Sequence, residues 1–431
     1  MKIDKLVLKN YRCYKELELY FNENITVIVG NNGAGKTAIL DAIAVSLGTF
    51  FNKLDGVKGL SIDKKDARLE AYQMGESFDV QPQFPVNISM TGFFDEEEIT
   101  WSRSLNGKNG NTTIIDAKQM INISNDYQRR LRLGDKDVIL PIIAYYGTGR
   151  LWDYHRQKKV GIFKENTKTN GYIDCLSGTA NVKLMMNWFR KKTIQASKKS
   201  GDENELNIVC QAISECYSKF AGYENVEISL NLDTNDLECL YEDREGGKMK
   251  MPLSQMSDGY KSTLSLVADI AYRMAVLNPQ LEEKVLKMTE GVVLIDEIDL
   301  HLHPAWQQRI LEDLRTIFPK VQFIVTTHAP SVISSVKNDS LVILKDYEAC
   351  SDEVENYGND SNSIMKTVMG VSERAPEVAK LFERFYSSLK DGRFDASEKI
   401  LDEIDRIRNF QDSEATMCRV KLGLERKRRQ R

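Results

Sequence analysis

Residues 30 to 37, Gly-Asn-Asn-Gly-Ala-Gly-Lys-Thr, follow a short apolar β-branched run, Ile25 to Val29, and precede a helical apolar pattern from Lys36 to about Leu47. That order restricts the chain to an α/β layout in which a buried parallel strand ends in a glycine-rich turn and feeds a helix. The glycines let successive backbone N–H groups curl inward, and the helix N-terminus adds positive potential, so the turn is shaped for phosphate oxygens. Gly33 and Gly35 set the bend and Asn31 and Asn32 border it. Lys36 supplies a charge for β- and γ-phosphates, and Thr37 offers a hydroxyl to Mg²⁺.

A second apolar run, Gly291 to Ile295, ends in two carboxylates, Asp296 and Glu297. Burying a strand that ends in adjacent charges is costly unless a cation or ligand meets them. Asp296 is the expected Mg²⁺ ligand through its water shell, and Glu297 the residue that orients the attacking water, since phosphoryl transfer asks mainly for positioning and charge stabilisation. A third strand, Phe323 to Thr327, delivers His328 as a γ-phosphate contact. Open α/β sheets bind ligands outside the carboxyl ends of their strands, so Gly30, Glu297 and His328 are expected to converge.

Around these motifs the pattern predicts strands at 3 to 8, 137 to 146, 225 to 231 and 237 to 242. An antiparallel β subdomain is expected from Phe84 to about Ile115, with hairpin signals at Asn106-Gly107 and Asn109-Gly110. After Gly147-Thr148-Gly149 the chain reads as helical to about Gly222, carrying Arg190, Lys191, Lys192, Lys198 and Lys199. Two further helices are expected at about 375 to 390 and 395 to 410, before a basic run at Arg426 to Arg429. A formal charge of −4 provides no global basic field, so any DNA contact has to be local. Seven cysteines without a C-x-x-C pair, no leader pattern and no apolar run of membrane length indicate a cytoplasmic chain without a membrane partner.

In this order the motifs resemble the ABC ATPase heads of the RecF, SMC and Rad50 group, over roughly residues 1 to 50 and 250 to 345. The resemblance implies an α/β ABC-type P-loop ATPase head that binds ATP and Mg²⁺. It places the head at 1–371: lobe I about 1–150 with the β subdomain, a helical insertion about 151–222, and a signature and Walker B lobe about 223–371. A C-terminal helical tail, 372–431, is left as a candidate partner-docking element through Val378, Leu381, Phe382 and Phe385. Asn10-Tyr11-Arg12-Cys13-Tyr14 resembles the group's opening motif and gives Arg12 a phosphate contact. Met256 to Lys261 resembles the ABC signature, in which Ser257, Asp258 and Gly259 close over ATP held by a second subunit. That implies a head-to-head homodimer, with a higher oligomer of dimers as a further expectation. The D-loop falls on His301 and His303, with His303 where the group has an aspartate. No Q-loop glutamine stands near Tyr145 to Arg150. No long heptad run separates Thr37 from Ser257, so a head without coiled-coil arms is expected.

The Asp-Glu-Ile-Asp-Leu-His-Leu-His-Pro-x-Trp stretch and the Tyr-Tyr-Gly-Thr-Gly-Arg segment resemble bacterial anti-phage ATPases, in particular the PtuA subunits of Septu and retron-associated systems. These imply a separate HNH nuclease as partner. Alternatives are a RecF-like repair ATPase that grips duplex DNA, and a nucleotide-binding structural dimer with little or slow hydrolysis.

Overall fold

The computed structural model describes residues 1–150, 167–178, 182–197, 203–242, 246–350, 355–371, 374–407 and 412–429. It divides into two units, Met1–Asp360 and Ser361–Arg431. The first runs β1 Lys2–Tyr11, β2 Tyr14–Tyr20, β3 Ile25–Gly30, α1 Lys36–Leu47, β4 Leu69–Met74, β5 Ser77–Pro82, β6 Val86–Phe94, β7 Glu97–Leu105, α2 Lys118–Arg132 and β8 Ile142–Tyr146. It continues α3 Val182–Ser197, α4 Glu203–Ala221, β9 Glu224–Asn231, β10 Asp236–Glu242, β11 Lys248–Pro252, α5 Asp258–Leu277, β12 Gly291–Ile295, β13 Val321–Thr327, β14 Leu341–Lys345 and β15 Glu348–Cys350. Residues 151–166 and Lys198–Lys199 of the expected helical insertion lie outside the described residues.

Six strands form the central sheet in the order β15-β14-β3-β13-β12-β8. From β14 to β8 neighbours are parallel, and β15 returns antiparallel along β14. β8, β12 and β13 are buried along their whole length and β3 up to Gly30, which is why they read as apolar runs and not as alternations. Register aligns Ile295 with both Val325 and Tyr146, and Thr327 with Val29, so the carboxyl ends of β3, β13, β12 and β8 open at one edge. The fold is thus the α/β layout expected from the sequence, a largely parallel sheet whose strand β3 runs through the glycine-rich turn into α1.

A second, antiparallel sheet has the order β2-β1-β6-β7. Its hairpin turn is not at the Asn-Gly pairs. β6 returns as β7 through Asp95 and Glu96, both at positive φ, 45° and 68°. Burial of Trp101, whose Nε1 donates to the Ser46 carbonyl at 3.1 Å, fixes the β7 register, and two acidic residues adopt the left-handed turn that Asn-Gly ordinarily supplies. Residues 112–115 form no strand. The strand expected from 137 begins only at Ile142. Pro141 has no N–H to give, and the Asn278 side chain takes both the N–H and the carbonyl of Leu140 at 2.8 Å each. β4 and β5 form a separate two-stranded ribbon with Leu69, Phe78 and Val80 exposed on one face. The sequence reading had passed over this element.

The second unit holds helices Ser361–Thr367, Pro376–Lys390, Phe394–Ile407 and Ser413–Arg429, one more long helix than expected. Val378, Leu381, Phe382 and Phe385, read from sequence as a docking face, instead pack with Ile400, Leu401, Ile404, Ala415 and Leu422 into this unit's own core. The third long helix supplies the missing side of the bundle. The basic run is helical, and Arg426 pairs with Asp395 and Glu398. Among the described residues no helix is long and apolar enough to cross a membrane.

Candidate functional site

β3 delivers the chain to Gly30, the turn exposes Asn31, Asn32 and Gly33, and α1 starts at Lys36. Gly33 and Gly35 have φ of 82° and 90°, where a side chain is strained. At Gly35 space is equally decisive, because a Cβ would lie 2.4 Å from the Tyr14 hydroxyl and 2.6 Å from Cys13 Sγ. Tyr14 itself donates to the Ala34 carbonyl at 2.8 Å, so the β1–β2 turn forms the back wall of the phosphate loop. Lys36 Nζ donates to the Gly30 and Asn31 carbonyls at 2.9 and 3.2 Å. Burial lowers its pKa, against the opposing pull of Asp296, Glu297 and Asp299.

The strand ends expected to converge do so. Thr37 Oγ1 donates to Asp296 Oδ2 at 2.8 Å across the gap between α1 and β12. Thr326 donates to Asp296 Oδ1 at 2.6 Å and accepts the Glu297 N–H at 2.8 Å, so one hydroxyl fixes both acidic residues. Glu297 stands at φ 49°, a left-handed backbone that costs about 1 kcal/mol or more for a residue with a side chain and that gathers at functional positions. A hydroxyl and a carboxylate in contact beside an exposed loop fit Mg²⁺, which takes hard oxygen donors and keeps several of its waters. Next along the edge, Asp299 Oδ1 accepts from Thr327 Oγ1 at 2.6 Å and from the His328 N–H at 3.4 Å. His328 is half-buried. Burial and then Lys36 lower its pKa from the ordinary 6.5, opposed by Asp299, Glu297 and Asp296, so the neutral imidazole faces the site at pH 7.

Ser257, Asp258 and Gly259 stand at the start of α5, with Ser257 and Asp258 exposed and no side-chain bond from Ser257 to the first helical amides. A Cβ on Gly259 would come within 2.6 Å of the His301 carbonyl, so the signature turn rests on the D-loop turn. His301 has φ 64°, and His303 caps the helix that starts at Pro304, its Nδ1 accepting the Ala305 N–H at 3.3 Å. Neither histidine belongs to a metal-binding group among the described residues.

Arg12 is held against α1 and the 64–66 turn, its Nη1 donating to Asp41 at 2.5 Å and its Nε to Asp66 at 2.8 Å. Reaching a phosphate would require it to release Asp41. Sequence reasoning also passed over a buried link. Tyr146 Oη and Arg273 Nε both donate to Asp269 Oδ2 at 2.7 Å, and Arg273 Nη1 donates to the Gly171 carbonyl at 2.8 Å. The Asp296 N–H in turn donates to the Tyr146 carbonyl at 2.8 Å. The signature helix is thereby tied to the acidic strand end. The one sequence signal was an i,i+4 acid–base pair inside an otherwise apolar helix.

A family model described as "AAA domain" matches residues 5–221, and a second AAA-domain model, whose description links it to the AbiEii toxin of type IV toxin–antitoxin systems, matches residues 151–334. The Retron Vc95 probable ATPase of Vibrio cholerae is 25% identical over 452 residues, covering 92% of this chain and 85% of that protein. The Septu protein PtuA of Bacillus thuringiensis is 24% identical over 419 residues, covering 90% of this chain and 89% of that one. Among solved structures, the SmcHead bound to the C-winged helix domain of ScpA is 19% identical with a TM-score of 0.47, over 82% of this chain and 98% of that one.

Proposed function

The chain belongs to the AAA domain family, and we propose that it is the ATP-hydrolysing subunit of an anti-phage defence complex, working as a head-to-head dimer that governs a separate HNH nuclease. The observation that carries the ATPase reading is the Thr37–Asp296 hydrogen bond, with Thr326 pinning Asp296 from the other side, at the mouth of a phosphate loop. Thr37 and Asp296 would hold Mg²⁺, which supplies charge neutralisation across the β- and γ-phosphates. Lys36 draws the terminal phosphates into the loop, Glu297 orients the water for in-line attack, and neutral His328 donates a hydrogen bond to the γ-phosphate. Ser257 and the α5 N-terminus of a second head complete the anion site from the far side. Nearly full-length likeness to a retron ATPase and a Septu PtuA supports the defence role and, with it, a nuclease partner. On this reading ATP keeps the heads closed and the nuclease quiet until nucleotide is lost.

Replacing Glu297 by Gln tests the site. The variant should bind ATP with Mg²⁺ as tightly as the parent, accumulate as closed dimer and hydrolyse about 10³-fold more slowly. Unchanged hydrolysis would remove Glu297 from the chemistry. Co-expression with a candidate HNH subunit, followed by size-exclusion chromatography, tests the partnership, which fails if the two elute separately with and without ATP.

A further inference from the structure

β14 lies on the side of β3 away from β13 and β12 and runs parallel to β3, pairing Leu344 with Gly30, the first residue of the phosphate loop. Its next residues, Asp346 and Tyr347, make a two-residue turn closed by the Lys345 and Glu348 pair, and they stand beside the loop entrance. Both have positive φ, 52° and 65°. Such turns favour Asn-Gly, and a tyrosine at the second position carries a backbone cost that glycine would avoid. The ring does not repay this by burial, for Tyr347 is 47% exposed. It packs at right angles to the buried Tyr14 ring, with centroids 6.2 Å apart and planes at 89°, and Tyr14 is the residue hydrogen-bonded to Ala34 of the loop.

The direction of a bound nucleotide follows from the same sheet. Asp296 and His328 follow the carboxyl ends of β12 and β13, on one flank of β3, and on the reading above they would hold the metal and the γ-phosphate end. The α-phosphate, ribose and base therefore leave the loop toward the opposite flank, where β14 presents Tyr347. We infer that Tyr347 is the stacking platform for the purine ring of the nucleotide whose phosphates the loop holds. This rests on the nucleotide-site reading above, and stacking of a base on an aromatic ring explains an exposed tyrosine kept in a glycine conformation.

Isothermal titration with Mg²⁺, using ATP and inorganic tripolyphosphate as separate ligands, distinguishes the two claims. Tyr347→Gly removes the ring while suiting the turn, so its melting temperature should equal or exceed that of the parent. It should bind ATP about tenfold more weakly and tripolyphosphate unchanged, with Tyr347→Phe close to the parent for both. ATP affinity unchanged in Tyr347→Gly, or both ligands weakened alike, overturns the stacking role. Lys36→Ala is the control for the site itself. It should lose both ligands, and if it binds both as the parent does, the nucleotide-site reading fails and the stacking platform falls with it.

Discussion

The phosphate-loop edge and the signature turn sit in the same unit and are finished to different degrees. At the loop edge the polar groups answer one another: Thr37 with Asp296, Asp296 with Thr326, Thr326 with Glu297, Asp299 with Thr327, and Lys36 with two carbonyls. At the signature turn Ser257 and Asp258 face solvent, and the start of α5 has no side-chain cap from Ser257, although helix N-termini ordinarily take one. One face is preorganised around its own groups, and the other is rigidly backed by His301 but open in front. The difference fits the proposed pair of half-sites for a shared ligand, since a surface completed by a second molecule has to stay unfilled in the first.

The largest effect expected at the finished edge is that of Glu297→Gln, about 10³-fold in turnover with nucleotide affinity retained. A comparable loss from Ser257→Ala would erase the contrast, because that change should cost about tenfold and leave monomer binding of ATP intact. The backing between the two faces can be broken separately. Arg273→Met leaves Asp269 charged and buried without its partner, which should destabilise the first unit by about 3–5 kcal/mol in denaturant titration. Replacing both Asp269 and Arg273 by apolar residues should recover part of that loss.

The smallest effect concerns pH. His328 has a lowered pKa in the folded head, so as pH falls below the ordinary value of 6.5 the unfolded chain takes up the proton first and the folded state loses stability relative to it. Stability and hydrolysis should therefore hold level from pH 8 to about 6.5, with the His328-dependent decline confined to lower pH and absent in His328→Gln. A decline centred above pH 7 would contradict a neutral histidine.

Much of the loop edge was legible in the sequence because each motif is a local pattern of apolar run, turn and helix, and the parallel sheet needs only those runs to bring the ends together. What escaped is non-local or chemically unusual. Tyr146 and Asp269 are 123 residues apart in the chain, and nothing in either neighbourhood announces the other. The Asp95–Glu96 turn carries none of the glycine that marks left-handed turns, and Asn-Gly pairs nearby drew the prediction to the wrong place. In the second unit the periodicity of Val378, Leu381, Phe382 and Phe385 was readable, but not what covers them, because that depends on a third helix whose sequence reads mainly as a charge run.

The shared-site account is tested most directly by mixing two defective heads. Lys36→Ala lacks the phosphate-loop charge and keeps the signature turn, whereas Ser257→Arg blocks the turn and keeps the loop. In a mixed dimer the intact loop of one meets the intact turn of the other. Each variant alone should be nearly silent in ATP hydrolysis, and an equal mixture should regain a substantial fraction of the parent rate. A mixture no faster than the sum of its parts would mean that each head works on nucleotide alone.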